Sequence, residues 1–275
     1  MRVVVLCSSP YSETGCAMAA HLAQLGQVPV GALTLPPFDR KTLLRKLGQW
    51  GVHDVARYAW TKLTQSNAAR GGQLRNPFLE SFVRNGEQIF SNLHQVARAF
   101  GFPVAVCHDQ NSNRAVTLLK GWAPDLMIFT GGNILRKELL GVPRLGVINA
   151  HLGLLPQIRG MSSPEWSLLE DVPPGITLHY IDSGIDTGPV LLKREFPRVA
   201  QCQSLDELRN RLIAYGVELV GEVVLGLNRG MISAQVQSDL DKDHQFFVIH
   251  EWLRVRAENR LKESSAAWTA ERQHG

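Results

Sequence analysis

Residues 2–33 are RVVVLCSSPYSETGCAMAAHLAQLGQVPVGAL, two apolar runs separated by one helical pattern. The runs at 2–7 and 28–33 predict strands, because they are continuous and rich in β-branched side chains. Between them, residues 17–25 have helical spacing and stop at Gly26. Continuous apolar strands joined by a helix are typical of a parallel sheet that is covered on both faces. The stretch therefore predicts an α/β fold with a mostly parallel sheet.

The same alternation of helix and strand returns after residue 77 and continues to about residue 200. The patterns predict helices at 87–100, 113–122 and 134–140, and strands at 103–106, 126–130, 146–149, 175–180 and 190–194. Residues 205–227 and 246–260 have helical patterns, so residues 201–275 are expected to form a short, mainly helical C-terminal extension.

The segment of about 36–77 interrupts this alternation and has apolar residues at helical intervals, which predicts a helical insertion. Eight basic and two acidic residues lie between Asp39 and Arg75, whereas the whole chain has a net charge of only +4. Such a segment is either a solvated helix face or a binding surface for an anionic ligand, a nucleic acid or a membrane. The sequence leaves both interpretations open.

Composition excludes several classes of protein. With 44% hydrophobic and 20% charged residues, the chain is outside the range of disordered proteins. No apolar run approaches the ~20 residues of a membrane span, and the polar residues from Ser8 follow the first strand too soon for a signal peptide. The four cysteines have neither disulfide-framework nor zinc-site spacing. We expect a cytoplasmic protein with no metal and no membrane span.

Polar residues that could perform chemistry are concentrated in two segments. Residues 148–160 are INAHLGLLPQIRG, and Asn149 and His151 lie two apart at the end of a predicted strand, so their side chains share one side. In open parallel sheets, ligands bind beyond the carboxyl ends of the strands. Residues 175–190 are GITLHYIDSGIDTGPV, where a strand enters a turn with two carboxylates and two glycines before Pro189. Such a turn brings backbone close to a flat ligand or aims a carboxylate at an imidazole.

Together these segments resemble the folate-dependent formyltransferase family. The family includes methionyl-tRNA formyltransferases, glycinamide ribonucleotide formyltransferases and sugar N-formyltransferases. The resemblance covers residues 1–200 and is weakest across the insertion. It is carried by Asn149, His151, the Leu-Leu-Pro run at 154–156, Arg159-Gly160 and the Asp-x-Gly-x-Asp-Thr-Gly loop at 182–188.

The resemblance implies a Rossmann-like catalytic domain over residues 1–200 that uses 10-formyltetrahydrofolate as its formyl donor. It implies three catalytic residues, Asn149, His151 and Asp186. It also implies that the folate is bound by two loops, whose residues are Asn133, Ile134 and Leu135 in one and Asp182, Gly184 and Ile185 in the other.

The chemistry of formyl transfer suits these residue types. When an amine attacks the formyl carbon, the formyl oxygen gains negative charge, and a donor already aimed at it lowers the barrier. The amide of Asn149 and a protonated His151 are expected to share this role. Asp186 is expected to favour the charged imidazole and to assist removal of the proton from the amine. Ser162 or Ser163 is expected to cap a helix, and the residues from Arg159 either brace the loop behind His151 or contact substrate.

The identity of the amine is less constrained. In methionyl-tRNA formyltransferases a C-terminal barrel grips the tRNA, but the residues after Ala200 have helical patterns, so a nucleic-acid partner is not expected. The first loop is a poor version of the phosphate-binding loop of the glycinamide ribonucleotide enzymes. The expected acceptor is a nucleotide-linked amino sugar, for which the basic insertion is suitable. Another amine, hydrolysis of 10-formyltetrahydrofolate and a non-catalytic folate-binding protein stay alternatives, and a homodimer is left open.

Overall fold

The computed structural model describes residues 1–37, 74–238 and 244–273. The chain divides into two compact units, Met1–Val147 and Ile148–Gly275. Most of the predicted basic insertion lies outside the described residues. Because no observation tests the expected domain boundary near residue 200, that boundary stays a prediction.

A parallel sheet forms the core of the first unit. Its strands are β1 (Val3–Cys7) and β2 (Gly31–Thr34), followed by β5 (Val104–Val106) and β6 (Leu126–Phe129); the short β3 (Arg84–Asn85) and β4 (Gln88–Ile89) form a separate antiparallel hairpin. The parallel strands pair in the order β5-β2-β1-β6. All five residues of β1 are buried, as expected for a strand covered on both faces.

The described part of the first unit contains five α-helices, three of which begin at a polar capping side chain. They are α1 (Glu13–Gln24), α2 (Glu80–Val83), α3 (Leu93–Phe100), α4 (Asn113–Trp122) and α5 (Lys137–Leu140). Ser12, Asn92 and Ser112 each accept a hydrogen bond from a backbone N–H of the first turn. The helix predicted over 87–100 starts later than expected, at Leu93. The residues before its cap, Asn92, include strand β4 of the hairpin.

In the second unit the strands pair in antiparallel directions. Strand β7 (Gly146–His151) starts at the end of the first unit and, from Ile148, pairs with β9 (Gly175–Tyr180), which pairs with β10 (Val190–Glu195). Two very short strands, β8 (Arg159–Gly160) and β11 (Gln245–Phe246), pair in parallel. The helices are α6 (Ser163–Leu169), α7 (Leu205–Asn228) and α8 (Glu251–Gln273). The expected α/β fold with a mostly parallel sheet is confirmed.

The C-terminal residues differ from expectation in one element. A helix is predicted over 246–260, but α8 begins at Glu251, and the two residues of β11 lie against β8 instead. Helix α7 was predicted correctly to within one residue, and in the structure Ser204 caps it. Every helix within the described residues is too short or too polar to cross a lipid bilayer.

The four cysteines are free thiols. Burial raises the pKa of Cys7 to about 12 and the pKa values of Cys107 and Cys202 to about 11. The pKa of Cys16 is also raised by burial, and nearby Cys7 and Glu13 raise it further.

Candidate active site

Strand β7 places the first two candidate residues. Asn149 and His151 are two residues apart near its end, so their side chains leave the same face. His151 is buried and Asn149 is half-buried. In the pairing of β7 with β9, Asn149 lies opposite His179, and the Asn149 Nδ2 atom is 3.4 Å from His179 Nε2. The strand register therefore adds a second imidazole to the site.

The loop after β9 supplies the carboxylate. Asp182 Oδ1 accepts hydrogen bonds from the Gly184 N–H and the Thr187 hydroxyl, which closes the loop on itself. Gly188 is required there, because a Cβ at this position would collide with the Tyr180 carbonyl oxygen. Asp186 has a left-handed backbone with φ of 54°. This conformation turns its side chain toward the two histidines.

Asp186 lies between the two imidazoles. Its Oδ2 atom is 3.4 Å from His151 Nδ1, and its Oδ1 atom is 3.4 Å from His179 Nε2. Oδ2 also accepts a hydrogen bond of 2.8 Å from the backbone N–H of Gly160. The structure thus brings Asn149, His151 and Asp186 into one cluster, in which His179 connects the amide to the carboxylate.

Backbone carbonyls fix which imidazole nitrogens carry protons. His151 Nε2 is 2.7 Å from the Ile158 carbonyl oxygen, and His179 Nδ1 is 2.9 Å from the Tyr180 carbonyl oxygen. A carbonyl only accepts, so these nitrogens are the donors, and in a neutral ring the other nitrogen is unprotonated. Both unprotonated nitrogens face Asp186. Each of these nitrogens becomes a hydrogen-bond donor to the carboxylate only when its ring takes up a second proton.

The electrostatics differ from the expectation of a protonated His151. Burial lowers the pKa of His151, and this effect outweighs the attraction of Asp186. For Asp186, burial acts to raise the pKa, but donation from a protonated His179 ring, the charge of a protonated His151 and the Gly160 N–H hold it at about 2. At neutral pH the resting site contains a neutral His151 imidazole and a negative Asp186 carboxylate.

Residues between Arg159 and Pro164 contact both Asp186 and His151, and a role in substrate binding stays open. Gly160 gives its N–H to Asp186, and the Ser163 hydroxyl lies 3.4 Å from His151 Nε2. Helix α6 begins at Ser163 with Pro164 in its first turn, as expected. The expected capping bond from Ser162 or Ser163 is not made; the Ser162 hydroxyl accepts from the Ile249 N–H instead.

The first loop expected to bind folate is held by two side chains from the loop before α4. Gln110 is fully buried. Its side-chain oxygen accepts from the Asn133 N–H at 3.0 Å, and its backbone N–H donates to the Asn133 side-chain oxygen at 3.2 Å. Asn111 bonds the Ile134 carbonyl and the Arg136 N–H. The Ile134 side chain is 92% exposed, whereas Leu135 is buried. At Leu135, therefore, the backbone and not the side chain is accessible to a ligand.

The second expected folate loop is also held by a side-chain hydrogen bond and also exposes one isoleucine. Asp182 and Gly184 shape the loop through the hydrogen bond between them. Ile185 is 52% exposed. Within the described residues, no group of three or more His, Cys, Asp and Glu side chains has the arrangement of a metal site.

Sequence reasoning missed His179. A histidine inside an apolar strand is usually a buried structural residue, so its type gave little signal. The available signal was its place in the strand that runs directly into the Asp182–Asp186 loop, combined with the pairing of that strand with Asn149. That pairing depends on the register of two strands about thirty residues apart.

Comparison with known proteins identifies the class of protein that this fold and site define. The model of the Formyl transferase family matches residues 86–224, which is about half of the chain. The chain therefore belongs to the formyl transferase family.

Curated relatives of the chain include methionyl-tRNA formyltransferases. A methionyl-tRNA formyltransferase from Pelobacter propionicus is 35% identical over 147 residues, which are 53% of this chain and 46% of the relative. Another from Citrifermentans bemidjiense is 34% identical over 183 residues, which are 59% of this chain and 57% of the relative. The chain spans about half the length of the curated relatives that it matches.

Solved structures share the fold. A sugar N-formyltransferase from a Shewanella species superposes with a TM-score of 0.55 at 14% identity, covering 95% of this chain and 88% of that one. Glycinamide ribonucleotide transformylase 1 from Symbiobacterium toebii gives a TM-score of 0.55 at 17% identity, covering 86% of this chain and 94% of that one. These similarities support the Rossmann-like formyltransferase fold and leave the acceptor unresolved.

Proposed function

We propose that this chain transfers the formyl group of 10-formyltetrahydrofolate to the amine of a nucleotide-linked amino sugar. The observation that supports the reaction is the cluster of Asn149, His151 and Asp186 on the strand and loop described above. An amide donor, an imidazole and a carboxylate are the groups that acyl transfer to an amine requires.

In this proposal Asn149 stabilises charge on the reacting formyl oxygen. Its amide carries two hydrogens, and only one is needed for the contact with His179 Nε2. The second hydrogen donates to the oxygen without any change of protonation. A fixed donor of this kind is worth about 3 kcal/mol of barrier.

His151 and Asp186 handle the proton that the attacking amine must lose. Because burial lowers its pKa, His151 starts neutral, with Nδ1 as the basic nitrogen. Asp186 Oδ2 lies 3.4 Å from Nδ1 and stabilises the imidazolium that forms there. His151 therefore acts as a base in our proposal, and Asn149 replaces it as the standing oxyanion donor.

The folate is proposed to use the two loops named from the sequence. In the first unit, these are the backbone of Asn133–Leu135 and the exposed Ile134 side chain. In the second unit, they are Asp182, Gly184 and the exposed Ile185. When the face of a flat ring covers an exposed isoleucine, apolar surface is removed from water, and this favours binding of a pterin. When bound, the folate would supply the formyl group, which moves from one nitrogen to another without a change in oxidation state.

The acceptor class is supported by two features of this chain. The residues that directly follow the catalytic segments form the helices α7 and α8, where the resemblance places a tRNA-binding barrel in methionyl-tRNA formyltransferases. The basic segment between Asp39 and Arg75 would attract the diphosphate of a nucleotide-linked sugar. A cytoplasmic location and a homodimer stay predictions.

The test is to incubate the protein with 10-formyltetrahydrofolate and one amine at a time. The amines are a nucleotide-linked amino sugar, glycinamide ribonucleotide and methionyl-tRNA, with an amine-free sample beside them. We expect tetrahydrofolate and a formylated sugar nucleotide in equal amounts, detected by mass spectrometry. Formylation of another amine alone would replace the acceptor, and equal tetrahydrofolate release without amine would make the protein a hydrolase. If the protein binds folate but shows no turnover in any sample, it is a non-catalytic folate-binding protein.

A further inference from the structure

Residues beyond helix α7 contact the loop that carries Asp186 and also the segment whose Gly160 N–H donates to Asp186. We define the clasp as two segments, Gln235–Gln237 and Gln245–Ile249. Both lie outside residues 86–224, the part of the chain that the family model matches.

The first segment of the clasp bonds the Asp186 loop directly. The Gln237 side-chain amide Nε2 donates to the carbonyl oxygen of Asp186 at 3.0 Å and to that of Gly188 at 2.7 Å. Gln235 exchanges two backbone hydrogen bonds with Val190, of 2.7 and 2.8 Å, just after the loop. The backbone of the loop is thus held at the catalytic aspartate and at its exit.

The Gln237 amide is used in an unusual way. Both hydrogens of its Nε2 serve the loop, while its own carbonyl oxygen is buried and has no hydrogen-bond partner among the described residues. An orphaned buried acceptor is destabilising, so this arrangement is not the best one for stability alone. It is well suited to holding two carbonyl oxygens of one loop at a fixed separation.

The second segment holds the backbone around Gly160, whose N–H donates to the Asp186 carboxylate. The Phe246 carbonyl accepts from the Met161 N–H at 3.0 Å, and the Trp166 indole N–H donates to the Phe247 carbonyl at 2.9 Å. The Trp166 ring also stacks on Phe246, with centroids 4.8 Å apart. These contacts fix Gly160, where a Cβ would collide with the Phe246 carbonyl and φ is +95°. Gly160 in turn donates its N–H to Asp186 Oδ2.

We propose that the clasp positions Asp186 for proton transfer, with Gln237 as a positioning residue that acts through the loop backbone. The proposal rests on the proposed function, in which Asp186 stabilises the imidazolium of His151. Gln237 fixes the backbone of Asp186, and the Gln245–Ile249 segment fixes the N–H that aims its carboxylate. The two segments together hold the carboxylate between the imidazoles.

The test compares Gln237→Met, which keeps the side-chain length and removes the donor, with Gln201→Met as the matched control. Gln201 is exposed and makes no described side-chain hydrogen bond. We expect Gln237→Met to lower kcat at least tenfold while KM for the amine stays within twofold, because the loss falls on a transition-state interaction. Gln201→Met should keep the wild-type kcat. A wild-type kcat in Gln237→Met would overturn the proposal.

Amide hydrogen exchange gives a readout that does not need turnover. In Gln237→Met, the Gly160 N–H should exchange at least tenfold faster, since its acceptor Asp186 is no longer held, while Ile176 in strand β9 should exchange as in the wild type. If β9 exchanges faster too, the variant is misfolded, and Gln237→Glu, which keeps the shape and also removes the donor, takes its place. Unchanged Gly160 exchange in a folded variant contradicts the clasp. An inactive wild type with accelerated Gly160 exchange in the variant contradicts only the proposed function.

Discussion

Asp186 keeps its negative charge in a largely buried position. The Gly160 N–H donates to its carboxylate, and the His151 and His179 rings lie 3.4 Å from it. The charge is useful in our mechanism only when His151 accepts a proton. We therefore expect His151→Ala and Asp186→Asn each to lower kcat by about 100-fold or more, with smaller changes in KM. Steady-state kinetics at saturating folate and amine provide the measurement. A variant with near wild-type kcat would remove that residue from the mechanism.

The same carboxylate makes stability depend on pH. The folded pKa of Asp186 is about 2, below the ordinary aspartate value of 3.8, so its contribution to stability is complete above pH ~4 and disappears as the pH falls toward 2. The shift corresponds to about 2 kcal/mol. Between pH 5 and pH 2, the wild type should lose about 2 kcal/mol more unfolding free energy than Asp186→Asn, measured by urea denaturation. Equal losses would show that Asp186 has an ordinary pKa.

His179 connects Asn149 with Asp186, so its removal should disturb both. We expect His179→Leu to lower kcat about tenfold, since the Asn149 amide loses its acceptor and Asp186 loses one neighbour. Circular dichroism should show an intact fold. If kcat stays unchanged in a folded variant, His179 is a structural residue only.

The residue scale also shows the limit of sequence reasoning. Asn149, His151 and Asp186 were predicted because their types and spacing match a known motif. His179 was not, because its role depends on strand register. His151 was expected to be protonated, but burial lowers its pKa and leaves the ring neutral. No local pattern of residues indicates how deeply a side chain is buried.

At the scale of elements, local signals predicted the boundaries of some helices very well. Helix α4 begins and ends as predicted, and α7 is one residue longer, because Ser112 and Ser204 cap them from adjacent positions. The starts of α3 and α8 were predicted too early. In both cases the preceding residues pair with another strand, and β11 pairs with a strand some 85 residues earlier. Such long-range pairing overrides helical periodicity.

The loop after β6 depends on one buried side chain, which leads to a prediction for folate binding. We expect Gln110→Leu to lower the unfolding free energy by about 1–3 kcal/mol, because the Asn133 N–H loses its acceptor. Folate affinity should fall as well, measured by calorimetric titration. Gln88→Leu, at an exposed position, is the matched control. Wild-type affinity in a destabilised Gln110→Leu would separate this loop from the folate site.

At the scale of the whole molecule, positive charge is concentrated in one part of the sequence. The excess between Asp39 and Arg75 is larger than the net charge of +4 of the whole chain. If this segment binds the acceptor, a Lys41→Ala, Arg45→Ala and Lys46→Ala triple variant should raise KM for the amine severalfold and weaken its salt dependence, with folate affinity unchanged. KM measured at low and moderate ionic strength decides. Unchanged KM at both salt concentrations would favour a solvated helix face.

The overall fold class could be predicted because the first 33 residues contain a complete strand, helix and strand, and because the two motifs identify the family. The antiparallel pairing of β7, β9 and β10 was not predicted. Apolar continuity distinguishes buried from half-buried strands, but it does not report the direction of a neighbouring strand.

The four raised thiol pKa values have a practical consequence for labelling. Alkylating reagents attack the thiolate, and almost none of it is present at neutral pH in Cys7, Cys16, Cys107 or Cys202. A cysteine introduced by Val248→Cys, at a position that is 67% exposed in the clasp, would have an ordinary reactivity. Maleimide dyes should therefore attach there selectively without removal of the native cysteines. The fluorescence of such a conjugate would follow the clasp in real time during catalysis.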